Sequence, residues 1–310
     1  MDRQQLTSLA LRKVLPLVPI PEDLPTGRTV ELPGRGSTHV LDTGRRDGAP
    51  TLVLLHALVT TGLLSWYPAI ARLAESYRVV VLDQRWHGRG IRGDRFRFED
   101  CADDTAAVMD VLGIDKAIPV GYSMGGSVAQ LMWRQHPDRV EGLVLGSTAR
   151  NFRGKVHERY GLPIVSAATA HFATHLAERV ERHAQERPDV RPGPAHPAWG
   201  VHELRSTSAW AIPAVIGAIG QFNSAPWIGD VDVPTAVIVT TKDHTIPARR
   251  QRSLAAAIPR ATVHEVEGGH ASIVLRGAGY LEALEEACGS VVKRSRRVRS
   301  ARRALRVNAR

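Results

Sequence analysis

The feature that most constrains the fold of this chain is the sequence Gly-Tyr-Ser-Met-Gly at positions 121–125, directly behind the apolar run 117–120. A buried strand that ends in Gly-x-Ser-x-Gly and turns at once into a helix is a nucleophile elbow. The turn is so sharp that Ser123 must take a strained backbone conformation, and Gly121 and Gly125 leave the room that it needs. The hydroxyl then projects from the carboxyl edge of a sheet at a helix N-terminus, where backbone N–H groups point towards negative charge. The alternative is an ordinary strand-to-helix turn with a capping serine.

An acid and a histidine follow the elbow in the chain order that a catalytic triad built on it requires. Asp243 comes just after the β-branched apolar run 235–241, which is typical of a buried parallel strand. His270 stands behind two glycines that follow a short strand predicted at 261–266, so its loop can fold back over the sheet edge. The three residues therefore each follow a predicted strand. The alternative for Asp243 is a solvated loop aspartate without a partner.

The organisation of the chain indicates an α/β fold with a mostly parallel central sheet flanked by helices. A β-hairpin is predicted over 28–41, alternating strands and helices run from 51 to 147, and the alternation resumes from 235 to about 289. We therefore predict an N-terminal extension over 1–26, a core formed by 27–150 and 231–289, an inserted segment over 151–230, and a tail over 290–310.

The tail carries most of the net charge of +10. Nine basic residues and no acidic residue lie between Val291 and Arg310, which leaves about +1 for the rest of the chain. We expect the tail to be disordered on its own, because like charges repel and few apolar groups are available for a core. It could bind acidic lipid headgroups, bind nucleic acid without sequence preference, or only keep the chain in solution. No aromatic residue in the tail offers a platform for base stacking, so nucleic acid is not expected as the main partner.

The remaining composition is that of a globular protein, with 43% hydrophobic and 23% charged residues. Cys101 and Cys288 make no disulfide framework and are expected to be small buried hydrophobes. Residues 1–26 are broken by charge and proline, so they do not match a secretory signal, and no stretch reaches the length of a membrane-spanning helix. We expect a cytoplasmic protein, with peripheral membrane contact through the tail as an option.

The inserted segment contains a markedly apolar stretch at 209–219, which either lines a hydrophobic substrate pocket or packs on the body of the protein. His171 and His175 have the four-residue spacing of a zinc site, and Glu178 could be a third ligand. Because Phe172 stands where a metalloprotease motif needs glutamate, no metal is assigned.

The chain resembles the α/β-hydrolase fold family, in its serine esterase, lipase and haloperoxidase-like branch, over residues 28–288. Besides the elbow, the resemblance rests on three segments that match strand and loop motifs of the family: 52–58, 79–90 and 136–145. It implies that the inserted segment is a helical cap. It also implies that the backbone N–H groups of Leu58 and Met124 form an oxyanion hole, with His56 as part of the supporting motif. Two positions depart from the family pattern, since Ala57 and Trp86 stand where glycine is usual.

The resemblance implies a serine hydrolase that cleaves carboxylic esters through an acyl-enzyme, without a cofactor, on a small-molecule ester. The apolar stretch and the basic tail favour lipid-like esters, and lipase, phospholipase and thioesterase activities are variants. A serine at the elbow argues against epoxide hydrolases and haloalkane dehalogenases, which attack with an aspartate there. The alternatives are a cofactor-free perhydrolase, a carbon–carbon bond hydrolase, or a ligand-binding protein on a hydrolase scaffold.

Overall fold

The computed structural model describes residues 26–45, 48–152, 199, 203, 206–207, 211–274 and 279–308. These residues form an eight-stranded sheet with helices on both faces. The strands are β1 (Arg28–Leu32), β2 (Gly36–Asp42), β3 (Thr51–Leu55), β4 (Arg78–Leu82), β5 (Ile118–Tyr122), β6 (Leu143–Gly146), β7 (Thr235–Thr240) and β8 (Thr262–Val266). The helices are α1 (Gly62–Ala74), α2 (Phe98–Val111), α3 (Met124–Gln135), α4 (Ile212–Gln221), α5 (Ala248–Ala257) and α6 (Tyr280–Asn308).

The strand order is β1-β2-β4-β3-β5-β6-β7-β8. The first two pairs, β1 with β2 and β2 with β4, are antiparallel, and every later pair is parallel. Strands β3, β5, β6 and β7 are almost entirely buried, which explains their continuous apolar sequences. The predicted mostly parallel sheet and the hairpin at its start are confirmed.

Two hydrophobic clusters fill the two sides of the sheet. Helices α1 and α6 pack on one face, with Ile70 and Leu284 among the buried residues. Helices α2, α3, α4 and α5 contribute to the cluster on the other face, with Met109, Val128 and Leu254 among its members. The parallel strands all end at one edge of the sheet, so the loops that follow β3, β5, β7 and β8 meet there.

The inserted segment lies between β6 and β7 and is described only in part. Its described residues include an isolated antiparallel bridge from Asn151 to Asn223 and the helix α4. Within the apolar stretch, Ala211, Val215 and Ile219 are buried in the core cluster, so these three side chains pack on the body. The candidate ligands His171, His175 and Glu178, and residues 1–25 of the N-terminal extension, lie outside the described residues.

The expectation of a disordered tail is wrong for most of its length, because α6 runs without a break from Tyr280 to Asn308. The reason is that the first part of this helix is anchored on the sheet: Val291 and Ser295 are buried, and Arg294 donates to the carbonyl of Thr235 at 2.8 Å. Once such a helix is nucleated, further turns are added at little cost, and arginine is a good helix former. Among the described residues, no helix has both the length and the apolar character needed to cross a membrane.

Candidate active site

The site is built around Ser123, which stands between the last residue of β5 and the first residue of α3. Its backbone has φ 53° and ψ −116°, a conformation that non-glycine residues rarely adopt. The predicted strain is confirmed, and so is the need for small neighbours. A methyl group on Gly121 would meet the backbone of Gly125, and one on Gly125 would meet the carbonyl oxygen of Leu55. The backbone N–H of Ser123 donates to Gly146 in the neighbouring strand at 2.9 Å, which holds the turn against the sheet.

The structure brings Ser123, His270 and Asp243 together, as the sequence predicts. The Ser123 hydroxyl lies 2.8 Å from Nε2 of His270, and Nδ1 of the same ring lies 2.7 Å from Oδ2 of Asp243. Because the carboxylate can only accept, Nδ1 carries the ring proton and Nε2 is free to accept the serine proton. The Asp243 side chain is fully shielded from solvent, while that of His270 is 23% exposed. The His270 imidazole therefore contacts both the buried Asp243 carboxylate and the Ser123 hydroxyl, and is itself partly exposed to solvent.

The Asp243 carboxylate is held by a set of donors besides His270. The backbone N–H groups of Thr245 and Ile246 donate to Oδ1, each at 2.8 Å. The Thr240 hydroxyl and the Gln251 amide donate to Oδ2 at 2.9 and 3.2 Å. Asp243 is thus an oriented, fully paired carboxylate and not a solvated loop residue, so that alternative is wrong.

Gln251 has further contacts that fix its own position. This side chain is completely buried on α5, and its amide nitrogen also donates to the carbonyl of Ile246 at 2.7 Å. Its amide oxygen accepts from the backbone N–H of Thr240 at 3.0 Å. The sequence analysis missed Thr240 and Gln251, since nothing in their local sequence marks them as partners of the acid.

Two tyrosines pack behind the imidazole. The ring of Tyr122 stacks on that of His270 with 5.8 Å between centroids, and its hydroxyl donates to the His270 carbonyl oxygen. Tyr280 packs edge-on against Tyr122, also at 5.8 Å. Burial raises the pKa of both phenols, so both stay neutral. They act as packing and hydrogen-bonding groups around His270.

The residues predicted to supply oxyanion donors follow two neighbouring strands, β3 and β5. Met124 is the first residue of α3, and the N–H groups of the first helical turn have no partner within their helix. Leu58 lies in the loop after β3 and is partly buried against the core. The structure thus places one of these residues at a helix N-terminus and the other in the adjacent loop.

His56 fixes the start of that loop and takes no part in the serine–histidine contact. Its Nε2 accepts from the backbone N–H of Gln84, and its Nδ1 donates to the carbonyl of Ala57, each at 2.8 Å. The Gln84 side chain makes a second hydrogen bond to His56, because its amide nitrogen donates to the His56 carbonyl at 2.8 Å. Burial lowers the pKa of His56 to about 4, so its ring is neutral near pH 7.

The two departures from the family pattern have different structural outcomes. Ala57 is absent from the non-glycine residues with positive φ, so its methyl group imposes no backbone strain. Trp86 has φ 66°, which is a conformation that glycine adopts most easily. Its ring is buried beside Phe96, and its indole N–H donates to the Gly93 carbonyl at 2.8 Å. The bulky ring therefore packs under its own loop.

Buried acids connect the inserted segment to these loops. Asp83 accepts from the backbone N–H groups of Gly62 and Arg89 at 2.8 and 2.9 Å. Glu203, from the inserted segment, accepts from the Thr61 hydroxyl at 2.5 Å and lies 3.8 Å from the Arg89 guanidinium. The inserted segment is thus tied to the residue that caps α1, directly after the loop of Leu58.

Within the described part of the chain, no group of three or more histidine, cysteine, aspartate or glutamate side chains is placed to hold a metal ion. Cys101 and Cys288 are both buried and unpaired, and burial raises the pKa of both thiols, Cys288 to about 12. Neither is a reactive thiol. The chemistry that the described groups allow is removal of the Ser123 proton by His270 beside a set of N–H donors.

Comparison with known proteins agrees with this fold. The family model of the α/β hydrolase fold matches residues 50–276. The chain is 27% identical to the magnesium-chelatase 30 kDa subunit of Rhodobacter capsulatus, over 74% of this chain and 84% of that protein. It is 28% identical to a putative carbamate hydrolase of Serratia proteamaculans, over 73% of this chain and 86% of that one. Among solved structures, the enol-lactonase of Burkholderia xenovorans LB400 matches with a TM-score of 0.67 and 25% identity, covering 84% of this chain and all of that one.

Proposed function

We propose that this chain, which belongs to the α/β hydrolase fold family, is a serine hydrolase that cleaves carboxylic esters. The observation that carries the proposal is the continuous contact from the Ser123 hydroxyl through His270 to Asp243, at 2.8 and 2.7 Å. The strained backbone of Ser123 adds to it, because strain of this kind persists where the surrounding structure holds a functional group in place.

The mechanism follows from the positions of these groups. Nε2 of His270 takes the Ser123 proton as the hydroxyl attacks the ester carbonyl, and Asp243 stabilises the imidazolium that forms. The N–H groups of Leu58 and Met124 stabilise the developing oxyanion, each donor contributing about 3 kcal/mol. His270 then returns the proton to the leaving alcohol, and water releases the acyl group by the same sequence of roles. Acyl transfer by these groups requires neither a cofactor nor a metal.

The substrate proposed is an apolar or lipid-like ester held under a cap formed by residues 151–230. The described residues of this segment contact the core near the site: Trp199 packs against Tyr67 at 5.6 Å, and Thr207 accepts from the Gly88 N–H at 3.3 Å. The relatives that are named a carbamate hydrolase and an enol-lactonase support attack of water on an acyl carbon, since a lactone is a cyclic ester. The magnesium-chelatase subunit is named for an assembly and not for hydrolysis, so turnover must be measured directly.

The test is hydrolysis of p-nitrophenyl esters from acetyl to palmitoyl by the wild-type chain and the Ser123→Ala variant. We expect kcat/KM to fall by about 10⁵-fold or more in the variant, because the nucleophile is lost. The matched control is Ser127→Ala, since Ser127 is a fully buried serine one turn further along α3 whose hydroxyl has no hydrogen-bond partner among the residues that the structure describes. That control should keep wild-type activity.

Labelling by a fluorophosphonate gives a second readout of the same serine. Wild type and Ser127→Ala should each gain one adduct by intact mass, and Ser123→Ala should gain none. Equal turnover by wild type and Ser123→Ala would contradict the proposal. Absence of both turnover and labelling in the wild type would favour a ligand-binding protein on the same scaffold, whereas labelling without ester turnover would favour the perhydrolase or carbon–carbon bond hydrolase.

A further inference from the structure

The C-terminal part of α6 is positively charged, and its described side chains are not buried on the sheet. The first part of α6 buries one face on the sheet, through Leu284, Cys288, Val291 and Ser295 at spacings of four, three and four residues. After Ser295 this contact ends, and every side chain from 296 to 301 is exposed. The helix nevertheless continues to residue 308. We call residues 296–308 the arginine arm, which is about 20 Å long at 1.5 Å per residue.

The arginine arm projects from the edge of the sheet opposite the candidate active site. Helix α6 begins at Tyr280, which packs against Tyr122 at the carboxyl end of β5. It crosses the sheet to Arg294, whose guanidinium donates to the carbonyl of Thr235, the first residue of β7. The arm therefore starts at the amino ends of the parallel strands, whereas Ser123 stands beyond their carboxyl ends.

The charge pattern of the arm favours binding to an anionic partner. Arginines stand at positions 296, 299, 303 and 306, a spacing of three or four residues that places these positions on one face of a helix. Like charges at this spacing repel, and no acidic residue lies between positions 291 and 310 to offset them. Arg299 pairs with Glu141 at 2.7 Å, at the point where the arm begins. Six arginines of the arm account for more than half of the net charge of +10, so the positive potential is concentrated on the arm.

We propose that the arginine arm docks on an anionic phospholipid surface, with its arginines against the phosphate headgroups. On the side of the helix away from these four arginines, Val298, Ala301 and Leu305 repeat at spacings of three and four residues, which gives the helix a narrow apolar face. Two further arginine positions, 297 and 302, border this apolar face on its two sides. A helix with adjoining cationic and apolar faces is suited to the interface of an acidic bilayer. Nucleic acid fits less well, because residues 281–310 contain no aromatic side chain on which bases could stack.

Docking through the arm leaves the opposite edge of the sheet free. Surface binding and the turnover of a water-soluble ester are therefore separate properties, and the proposal does not depend on the proposed function. Neutral variants of the arm should lose binding and keep their activity in solution.

The experiment is co-sedimentation of the full chain with vesicles of phosphatidylcholine, with and without phosphatidylglycerol, at low salt and at about 0.5 M salt. We expect the wild type to bind only the vesicles that contain phosphatidylglycerol, and to be released by salt. Each basic residue near such a surface contributes about a fivefold change in binding. Changing arginines 296, 299, 303 and 306 together to glutamine should therefore weaken partitioning by about 100-fold or more.

Two matched variants separate lost charge from lost structure. Changing the same four arginines to lysine keeps the charge, and this variant should bind like the wild type. Changing four exposed basic residues of the body to glutamine alters the net charge equally and should change partitioning less than about threefold; these are Arg28, Arg45, Arg95 and Lys116. Equal binding by the wild type and the glutamine variant would overturn the proposal, as would equal binding to uncharged vesicles. Tighter binding to double-stranded DNA than to acidic vesicles at the same salt would assign the arm to nucleic acid instead.

Discussion

Acid destabilisation of the fold through His56 and His87 is a quantitative consequence of the structure. The two imidazoles are buried side by side behind the loop of Leu58, with ring centroids 5.1 Å apart. Burial lowers the pKa of His56 to about 4. Burial, together with the neighbouring His56, lowers the pKa of His87 to about 3. In the unfolded chain both rings titrate near pH 6.5. Below pH 6.5 the unfolded chain therefore takes up protons that the folded chain does not, and the free energy of unfolding falls as the pH falls.

The size of the effect follows from the two pKa values. At pH 5, a ring with a folded pKa of about 3 or 4 and an unfolded pKa near 6.5 costs the fold about 2 kcal/mol relative to pH 8. The two rings together cost about 4 kcal/mol, a large part of the stability of a typical domain. This cost is absent well above pH 6.5 and grows as the pH falls, until it levels off below about pH 4 for His56 and about pH 3 for His87.

The assay is reversible urea unfolding at pH 8 and pH 5, for the wild type and for His87→Phe. Phenylalanine keeps a ring beside His56 and Phe96 but cannot take up a proton. The variant loses the hydrogen bond of 3.0 Å between His87 Nδ1 and the Arg85 carbonyl, but this loss lowers the stability at both pH values and so cancels in the difference. We expect the wild type to lose about 2 kcal/mol more than the variant between pH 8 and pH 5. Equal losses in the two proteins would refute the reasoning.

Two further predictions concern residues that support the site. Gln251→Met should lower kcat about 10-fold with KM nearly unchanged, because Asp243 loses a buried donor that orients it. Steady-state kinetics on a water-soluble ester measure both constants. A change in KM alone would contradict the prediction. Gly125→Ala should destabilise the fold by about 3 kcal/mol in urea unfolding, because the added methyl group meets the Leu55 carbonyl. The matched control is Gly217→Ala on α4, where a methyl group meets no atom of the described residues within 4 Å and should stabilise the helix by about 0.5–1 kcal/mol.

The three residues of the proposed catalytic triad could be predicted from the sequence because of how parallel sheets are built. Ser123, Asp243 and His270 each follow an apolar run that forms a buried or half-buried strand. Parallel strands end at one edge, so residues that follow them come together even when they are far apart in the chain. Glycines on either side of Ser123 and before His270 then indicate which of these loops make sharp turns.

The support around Asp243 could not be found in the same way. Thr240 ends a strand and Gln251 lies on a helix, and both residue types are common in such places. Only the packing of α5 on β7 brings the Gln251 amide to the carboxylate, and packing contacts leave no local sequence pattern. The helical arm was missed for a related reason, since the charge of the tail predicts disorder while the burial of Val291 and Ser295 sustains the helix.

Backbone strain is concentrated at the edge of the sheet where the proposed active site lies. Among the described residues, the non-glycine residues with positive φ are Val59, Trp86, Ser123, Ser147 and Arg260. The first four come just after β3, β4, β5 and β6, so they lie along the carboxyl edge of the sheet. Each such conformation costs about 1–3 kcal/mol and persists only where the surrounding packing imposes it. The buried sheet supplies that packing. The residues that break local backbone preferences are therefore concentrated where the proposed nucleophile and oxyanion donors stand, as expected if this edge is maintained for chemistry and not for stability.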